Sequence, residues 1–311
     1  MRLLVTGGLG FIGSNFILYT LNKYPDFKII NLDAELVGSN KRNLESVKKL
    51  KNYHFVKGNI NDIQVMNRLV KKCDNVINFA AESHVDRSIS GPKPFLDSNV
   101  MGLQTLLESI RKYDKKLIQI STDEVFGSLK KGSAKEYDSF NPASPYAASK
   151  AAAEMLAKSY VKTYGCDIMI TRCTNNYGPR QFEEKLIPKV ILYAKKNKKI
   201  PIYGNGKNIR DWIYVDDHCN ALLKVFFKGK KGESYNISAS NELSNIQIIK
   251  RILRIMKKST DLMKFVPDRL GHDFRYSLDS TKTRQKLKWV PKVSFDIGLE
   301  NTIKWYLNRK W

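Results

Sequence analysis

The chain has 311 residues, 42% of them hydrophobic, enough to bury a large core without disulfide staples and long enough for two domains or one large α/β domain with an appendage. Its 54 Lys and Arg against 30 Asp and Glu leave a formal charge of +24, but pairs such as Lys48-Lys49, Lys71-Lys72 and Lys198-Lys199 lie beside turns or on helix faces, without the interleaved aromatics of a base-stacking groove. Nucleic-acid binding is therefore not expected, nor is a membrane span, since no apolar run approaches about 20 residues; a positive field serves a pyrophosphate-bearing small substrate equally well.

The first predicted strand, Leu3–Val5, runs at once into Gly7-Gly8-Leu9-Gly10-Phe11-Ile12-Gly13, which opens a helix through Ser14-Asn15-Phe16. Glycines so placed let the backbone turn tightly and approach a pyrophosphate seated on the helix N-terminus. The second strand, Lys28–Leu32, is followed by Asp33, 20 residues beyond Gly13. A carboxylate there accepts from a ribose 2′-hydroxyl and repels a 2′-phosphate, so NAD is expected rather than NADP. Further strands are predicted at His54–Lys57, Asn75–Phe79, Leu117–Ser121 and Ile168–Arg172, with helices at Asp62–Lys72 and Phe95–Tyr113 between them. Short, continuously apolar runs alternating with helices indicate a Rossmann-like, doubly wound parallel sheet of the α/β class, with its ligand site at the carboxyl ends of the strands.

Ser121-Thr122-Asp123-Glu124 closes the fifth strand, where two adjacent acids in a closed cleft are costly unless their pKa values are pushed apart into an acid and a base. Tyr146 and Lys150 stand four residues apart on one helix face, where the cation is expected to lower the phenol's pKa and Thr122 to donate to the reacting oxygen. After Arg172 the alternation gives way to turn-rich sequence, Asn175 to Pro179 and Tyr203 to Gly206, with helices predicted at Lys185–Lys195, Asp216–Phe227, Asn245–Met256 and Phe295–Asn308. The expected division is an NAD-binding domain over 1–174, to which about 210–237 returns, and a smaller C-terminal α/β substrate domain over 175–311. Cys73, Cys166, Cys173 and Cys219 form no CxxC pair and no zinc spacing, so no metal is expected. With a glycine motif beginning at Gly7 there is no length for a leader, and a cytoplasmic location is expected.

Taken together these blocks resemble the extended short-chain dehydrogenase/reductase family, and within it the dTDP-glucose 4,6-dehydratases. The likeness runs through nearly the whole chain: the glycine motif, Ala80-Ala81-Glu82-Ser83-His84-Val85-Asp86-Arg87-Ser88, Ser121 to Gly127, Tyr146 with Lys150, Asn175 to Pro179, Glu184 to Pro188, Ile209-Arg210-Asp211-Trp212, Asp268-Arg269 and Gly271-His272-Asp273, then Trp305-Tyr306-Leu307. The resemblance implies cofactor contacts at Gly7, Gly10, Phe11, Ile12, Gly13 and Asp33, at Asn59, Ile60, Ala80 and Ala81, and at Ser121, Tyr146, Lys150 and Cys173. It implies a nucleotide-sugar substrate, dTDP-glucose, held by Ser83, Thr122, Asn175, Lys185, Leu186 and Pro201, and by Tyr203, Arg210, Asn245, Arg269, His272 and Tyr276. His84 receives no role.

By the same resemblance Tyr146, with Lys150 and Thr122, deprotonates the C4 hydroxyl while hydride passes to NAD, Glu124 removes the C5 proton, Asp123 protonates the departing C6 hydroxyl, and the hydride returns to C6. A homodimer is implied through Phe95–Arg111 and Ala147–Tyr164, where Leu103, Leu106, Met155 and Leu156 are apolar beyond what a sheet-facing stripe needs. The chain departs from the family at Ala34 to Asn40, at Asn59 in place of an aspartate, and at Glu183 in place of a proline. The enzymatic alternatives are a UDP-sugar 4,6-dehydratase, a 4-epimerase or a decarboxylase of the same family. The non-enzymatic ones are a dinucleotide sensor and a nucleic-acid-associated module, against which the retained Tyr146, Lys150 and acid pair argue.

Overall fold

The structure is a computed structural model and describes residues 1–309. Strands β1 (Arg2–Thr6), β2 (Lys28–Asp33), β3 (Tyr53–Lys57), β4 (Asn75–Asn78), β5 (Lys116–Thr122) and β6 (Ile168–Cys173) lie within a residue or two of the apolar runs that predict them. Such strands are buried on both faces, and helices cover each side. The first face is covered by α1 (Phe11–Lys23), whose Phe16 and Ile17 lie in one core cluster. The opposite face carries α2 (Ile63–Lys72).

The helix predicted at Phe95–Tyr113 is not uniform. After α3 (Val85–Ser90), α4 (Lys93–Leu96) passes through a π-helical turn, Asp97–Met101, before α5 (Gly102–Tyr113). The wide turn brings Asn99 to the loop after β4: its side chain accepts from the Glu82 N–H (2.9 Å) and donates to the Glu82 carbonyl (3.0 Å) and Ser149 hydroxyl (2.8 Å). Ser149 lies on α6 (Pro145–Tyr164), which begins sharply because Ser144 caps the Ala147 N–H and Pro145 takes the first helical position. That fixed start puts Tyr146 in the first turn and Lys150 one turn on. Leu103 and Leu106, expected as apolar surface, are only 1% and 0% exposed because α5 packs on α2. Exposed apolar side chains of these helices include Leu96, Met101 and Met155, while Leu156 is partly buried against the same core.

Beyond β6 come β7 (Asn175–Tyr177), α7 (Leu186–Lys195), β8 (Ile200–Tyr203) and β9 (Ile209–Tyr214), followed by α8 (Val215–Lys228) and β10 (Ser234–Ile237). Then follow β11 (Glu242–Ser244), α9 (Asn245–Ile255), β12 (Met263–Val266), α10 (Thr281–Leu287) and α11 (Phe295–Asn308). The main sheet has seven parallel strands in the order β10-β6-β5-β4-β1-β2-β3. The chain order reverses direction between β1 and β4, the switch point where a doubly wound sheet leaves a crevice. Within 210–237, α8 packs on α1 and β10 pairs with β6 in this sheet, while β9 belongs to a three-stranded sheet with β7 and β11. A third core cluster, with Ile187, Ile191, Ile249 and Leu299, holds α7, α9 and α11 together as a smaller lobe.

Candidate active site

A cavity of about 560 Å³ lies across the carboxyl ends of β1 to β6, against the start of α7. Its floor is the glycine turn. Gly7 has φ +68°, and a Cβ there would lie 2.6 Å from the Ala80 nitrogen; one on Gly13 would lie 2.5 Å from the Gly7 carbonyl oxygen. Only glycine permits both the left-handed turn and the approach of α1 to β1. Gly10 caps α1 without a side-chain hydrogen bond, leaving first-turn N–H groups for an anion.

Asp33 lines the cavity but is also built into the turn, accepting from the Leu9 N–H at 2.9 Å and from the Ser39 hydroxyl and Glu35 N–H at 2.8 Å. Phe11, Ile12, Asn59, Ile60, Ala80 and Ala81 join it in the wall, and so do Ser121 and Cys173. Asn59 accepts from the Asn61 N–H. The Ser121 hydroxyl is buried with no hydrogen-bond partner among the described residues, a polar atom facing a site rather than a core.

Thr122, Asp123, Glu124, Tyr146 and Lys150 line the same cavity. Burial, then the neighbouring Glu124, pushes the Asp123 carboxyl up to about 8, so it is a neutral acid near pH 7. Its Oδ1 accepts from the Thr122 hydroxyl at 3.1 Å; its buried Oδ2 has no partner among the described residues. Glu124 is also raised by burial, but Arg210, Lys185 and Arg269 oppose the rise and favour its carboxylate. Two adjacent acids thus occupy different electrostatic surroundings.

The tyrosine-lysine couple differs from expectation. Burial and then the Glu124 charge hold the Tyr146 phenol well above its ordinary value, with only the Thr122 hydrogen bond lowering it appreciably. Lys150 does not supply the expected relief because its ammonium donates to the Ile120 carbonyl at 2.6 Å, and burial brings it down to about 8.

The predicted substrate residues fall into three groups. Ser83, Asn175 and Lys185 line the cavity, and Lys185 Nζ donates to the Ser83 carbonyl at 3.0 Å. Arg210, Arg269, His272 and Tyr276 lie outside the cavity wall, around Glu124 and its neighbours: the Arg210 guanidinium sits 4.3 Å from the centre of the Tyr276 ring, and the Tyr276 hydroxyl is 3.5 Å from Glu124 Oε2. Tyr203 reaches this group only edge-on to His272, with ring centres 6.4 Å apart. Leu186 packs on the core of the smaller lobe, Pro201 lies in β8 opposite Lys264, and the Asn245 N–H donates to the Asn208 carbonyl; none of the three lines the cavity.

Sequence reasoning left out several residues that build the site. His84 lines the cavity and pairs with Glu184 (3.0 Å), which Arg87 also holds (2.7 Å), tying the loop after β4 to the start of α7. Asp273 receives the Tyr276 hydroxyl at 2.5 Å. His84 and Asp273 sit inside the motifs that carry the resemblance, and that position was the available signal.

The sequence pattern of the family described as GDP-mannose 4,6 dehydratase matches residues 4–302. Low-salt glycan biosynthesis protein Agl12 of Haloferax volcanii is 47% identical over 308 residues, covering 99% of this chain and 99% of its own. The dTDP-glucose 4,6-dehydratase of Streptomyces niveus is 44% identical, with 100% of this chain and 94% of that one covered. Among solved structures, that of DesIV, a dTDP-glucose 4,6-dehydratase of Streptomyces venezuelae with NAD bound, superposes with a TM-score of 0.98 at 43% identity, covering 100% of this chain and 98% of that one.

Proposed function

The chain belongs to the GDP-mannose 4,6 dehydratase family, and from that premise we propose that it converts dTDP-glucose to the 4-keto-6-deoxy sugar nucleotide with NAD as a recycled cofactor. The cavity suits the dinucleotide: a ridge that tolerates no Cβ, uncapped N–H groups at α1, a carboxylate at Asp33 and the unpartnered Ser121 hydroxyl. When bound, NAD supplies a nicotinamide that takes up a hydride from C4 and gives it back at C6.

The chain's own residues handle the protons. Thr122 holds the C4 hydroxyl and Tyr146 takes its proton, which requires a cation to favour the phenolate. Lys150, one turn along the same face, is the cation available for this, and to reach the phenol it would have to give up the Ile120 carbonyl to which its Nζ donates. A carbonyl at C4 acidifies the C5 proton, and Glu124, whose carboxylate Arg210, Lys185 and Arg269 favour against the rise that burial imposes, removes it. Asp123, neutral below about 8, protonates the C6 hydroxyl so that it leaves as water.

The observation that carries this reading is the placement of two adjacent acids, Asp123 and Glu124, in one cavity with Tyr146, because C4 oxidation alone, or epimerisation, needs neither acid. Deuterium placed at C4 of dTDP-glucose is expected at C6 of the product. Inversion at C4 with no deoxy sugar overturns the dehydratase reading, and equal turnover of UDP-glucose overturns the preference for dTDP.

The same reading takes the protein as a cytoplasmic homodimer. Four buried free thiols suit a reducing compartment, and the exposed Leu96, Met101 and Met155 offer an apolar helix face to a second copy. Among the described residues no helix is long and apolar enough to cross a membrane.

A further inference from the structure

Glu124 must begin its cycle without a proton and end the elimination carrying one. While that proton stays on Glu124 it faces the carbon it left, and its direct return reverses the step. The residues next to Glu124 provide another destination. The Tyr276 hydroxyl stands 3.5 Å from Glu124 Oε2 and donates to Asp273 Oδ2 at 2.5 Å. Its position is fixed: Tyr276 is 3% exposed, its ring lies under the Arg210 guanidinium at 4.3 Å, and Arg210 donates to the Asp273 carbonyl at 2.9 Å and the Phe274 carbonyl at 3.2 Å.

A phenol has a single proton to give. While Asp273 accepts it, the Tyr276 oxygen offers Glu124 only a lone pair, which complements a protonated Glu124 and not a carboxylate. When Glu124 is ionised, the same proton is better turned toward it. The hydroxyl therefore changes partner with the state of Glu124.

The geometry points to Tyr276 and Asp273 as a relay that takes from Glu124 the proton removed from C5 and holds it away from the sugar, an inference that rests on the dehydratase reading above. In the relay step the Glu124 O–H bond breaks as an O–H bond forms on the Tyr276 oxygen. The original Tyr276 O–H breaks as Asp273 Oδ2 gains the proton. One negative charge passes from Asp273 to Glu124, and no oxidant or co-reactant enters. Burial holds the Tyr276 phenol far above its ordinary value, so the two transfers are coupled, with no free phenolate between them. Asp273 is itself buried, at 8% exposure, so passage of the held proton to solvent is what the relay requires and what solvent label at C5 reads. Asp273, acting through Tyr276, is a positioning residue.

The test follows hydrogen at C5. Unlabelled dTDP-glucose is turned over in D2O, and the product is trapped by borohydride within one turnover. Wild-type product is expected to carry solvent deuterium at C5. Asp273→Asn, which still accepts the Tyr276 hydrogen bond but has no carboxylate to protonate, should lower kcat about tenfold and the share of solvent label at C5 about fivefold. Tyr276→Phe keeps the ring against Arg210, removes the hydroxyl and should do the same, which covers the case in which the asparagine variant fails to fold. Solvent label at C5 in both variants equal to wild type, or none in wild type, overturns the relay. In parallel, 4-deuterated substrate in ordinary water reports transfer to C6; if wild type shows none, the dehydratase reading itself falls and the relay with it.

Discussion

On the sheet side of the cavity, Thr122, Asp123 and Lys150 come from one strand end and one helix and are 7%, 4% and 5% exposed. Across from them, Lys185, Arg210 and the segment 269–272, with Arg269 and His272, come from the smaller lobe; Arg210 is itself buried, but the rim contacts reach solvent, as in the ion pair of Arg269 with Asp86 and the hydrogen bond between the His272 imidazole and Asp268. In the dry wall a carboxyl and an ammonium are each displaced to about 8, mainly by burial. At that rim, paired charges are screened, and each contributes little alone. The contrast assigns the proton chemistry of Tyr146 and Asp123 to the sheet side, and hold on the substrate together with the charge state of Glu124 to the lobe side.

The largest effect that could break this division is expected at Tyr146. Tyr146→Phe should lower kcat by about a thousandfold while KM changes by less than about threefold. Steady-state kinetics that show the reverse pattern end the division. Next comes stability of the sheet side. Glu154 on α6 and Arg172 on β6 form an ion pair with both side chains 0% exposed, so Glu154→Ala strands a buried guanidinium and should cost about 3 to 5 kcal/mol in urea unfolding.

The third prediction uses pH. Because Asp123 must be protonated to act, dehydration should fall about tenfold per pH unit above about 8, while C4 oxidation is less affected. The sign for stability agrees. A carboxyl raised in the folded state contributes fully below its ordinary value of 3.8, and that contribution is lost as pH rises to about 8, so Asp123→Asn should flatten this part of the stability profile. The smallest effect is expected on the lobe side, where Arg269→Ala should raise KM about fivefold, with the difference shrinking as salt is added, and lower kcat only about twofold, because Arg210 and Lys185 remain beside Glu124.

The parallel sheet was legible because its first six strands are continuous apolar runs bounded by turns, and a strand buried on both faces has little other way to look. The short strands of the lobe, such as β7 and β11, were not, since three residues carry no period and their pairing depends on β9 alone. The π turn at Asp97–Met101 was hidden within an ordinary helical pattern because its cause is a tertiary bond, Asn99 to the Glu82 backbone. Leu103 and Leu106 were read as surface because periodicity does not reveal that α2 covers them. His84 looked like a lone histidine until Glu184, 100 residues later, came to meet it.

By itself the sequence determined the glycine turn on β1, the parallel architecture and the kinds of group at the end of β5 and the start of α6, all of which follow from local stereochemistry and hydrophobic pattern. The tertiary structure alone decided what those groups are protonated to do. The charge state of Glu124 depends on Arg210, Arg269 and Asp273, its hydrogen-bond partner Tyr276 lies 152 residues away, and the Lys150 ammonium is drawn to a carbonyl of a neighbouring strand. A pKa is set by burial and by charges within a few ångströms, and separation along the chain carries no information about either.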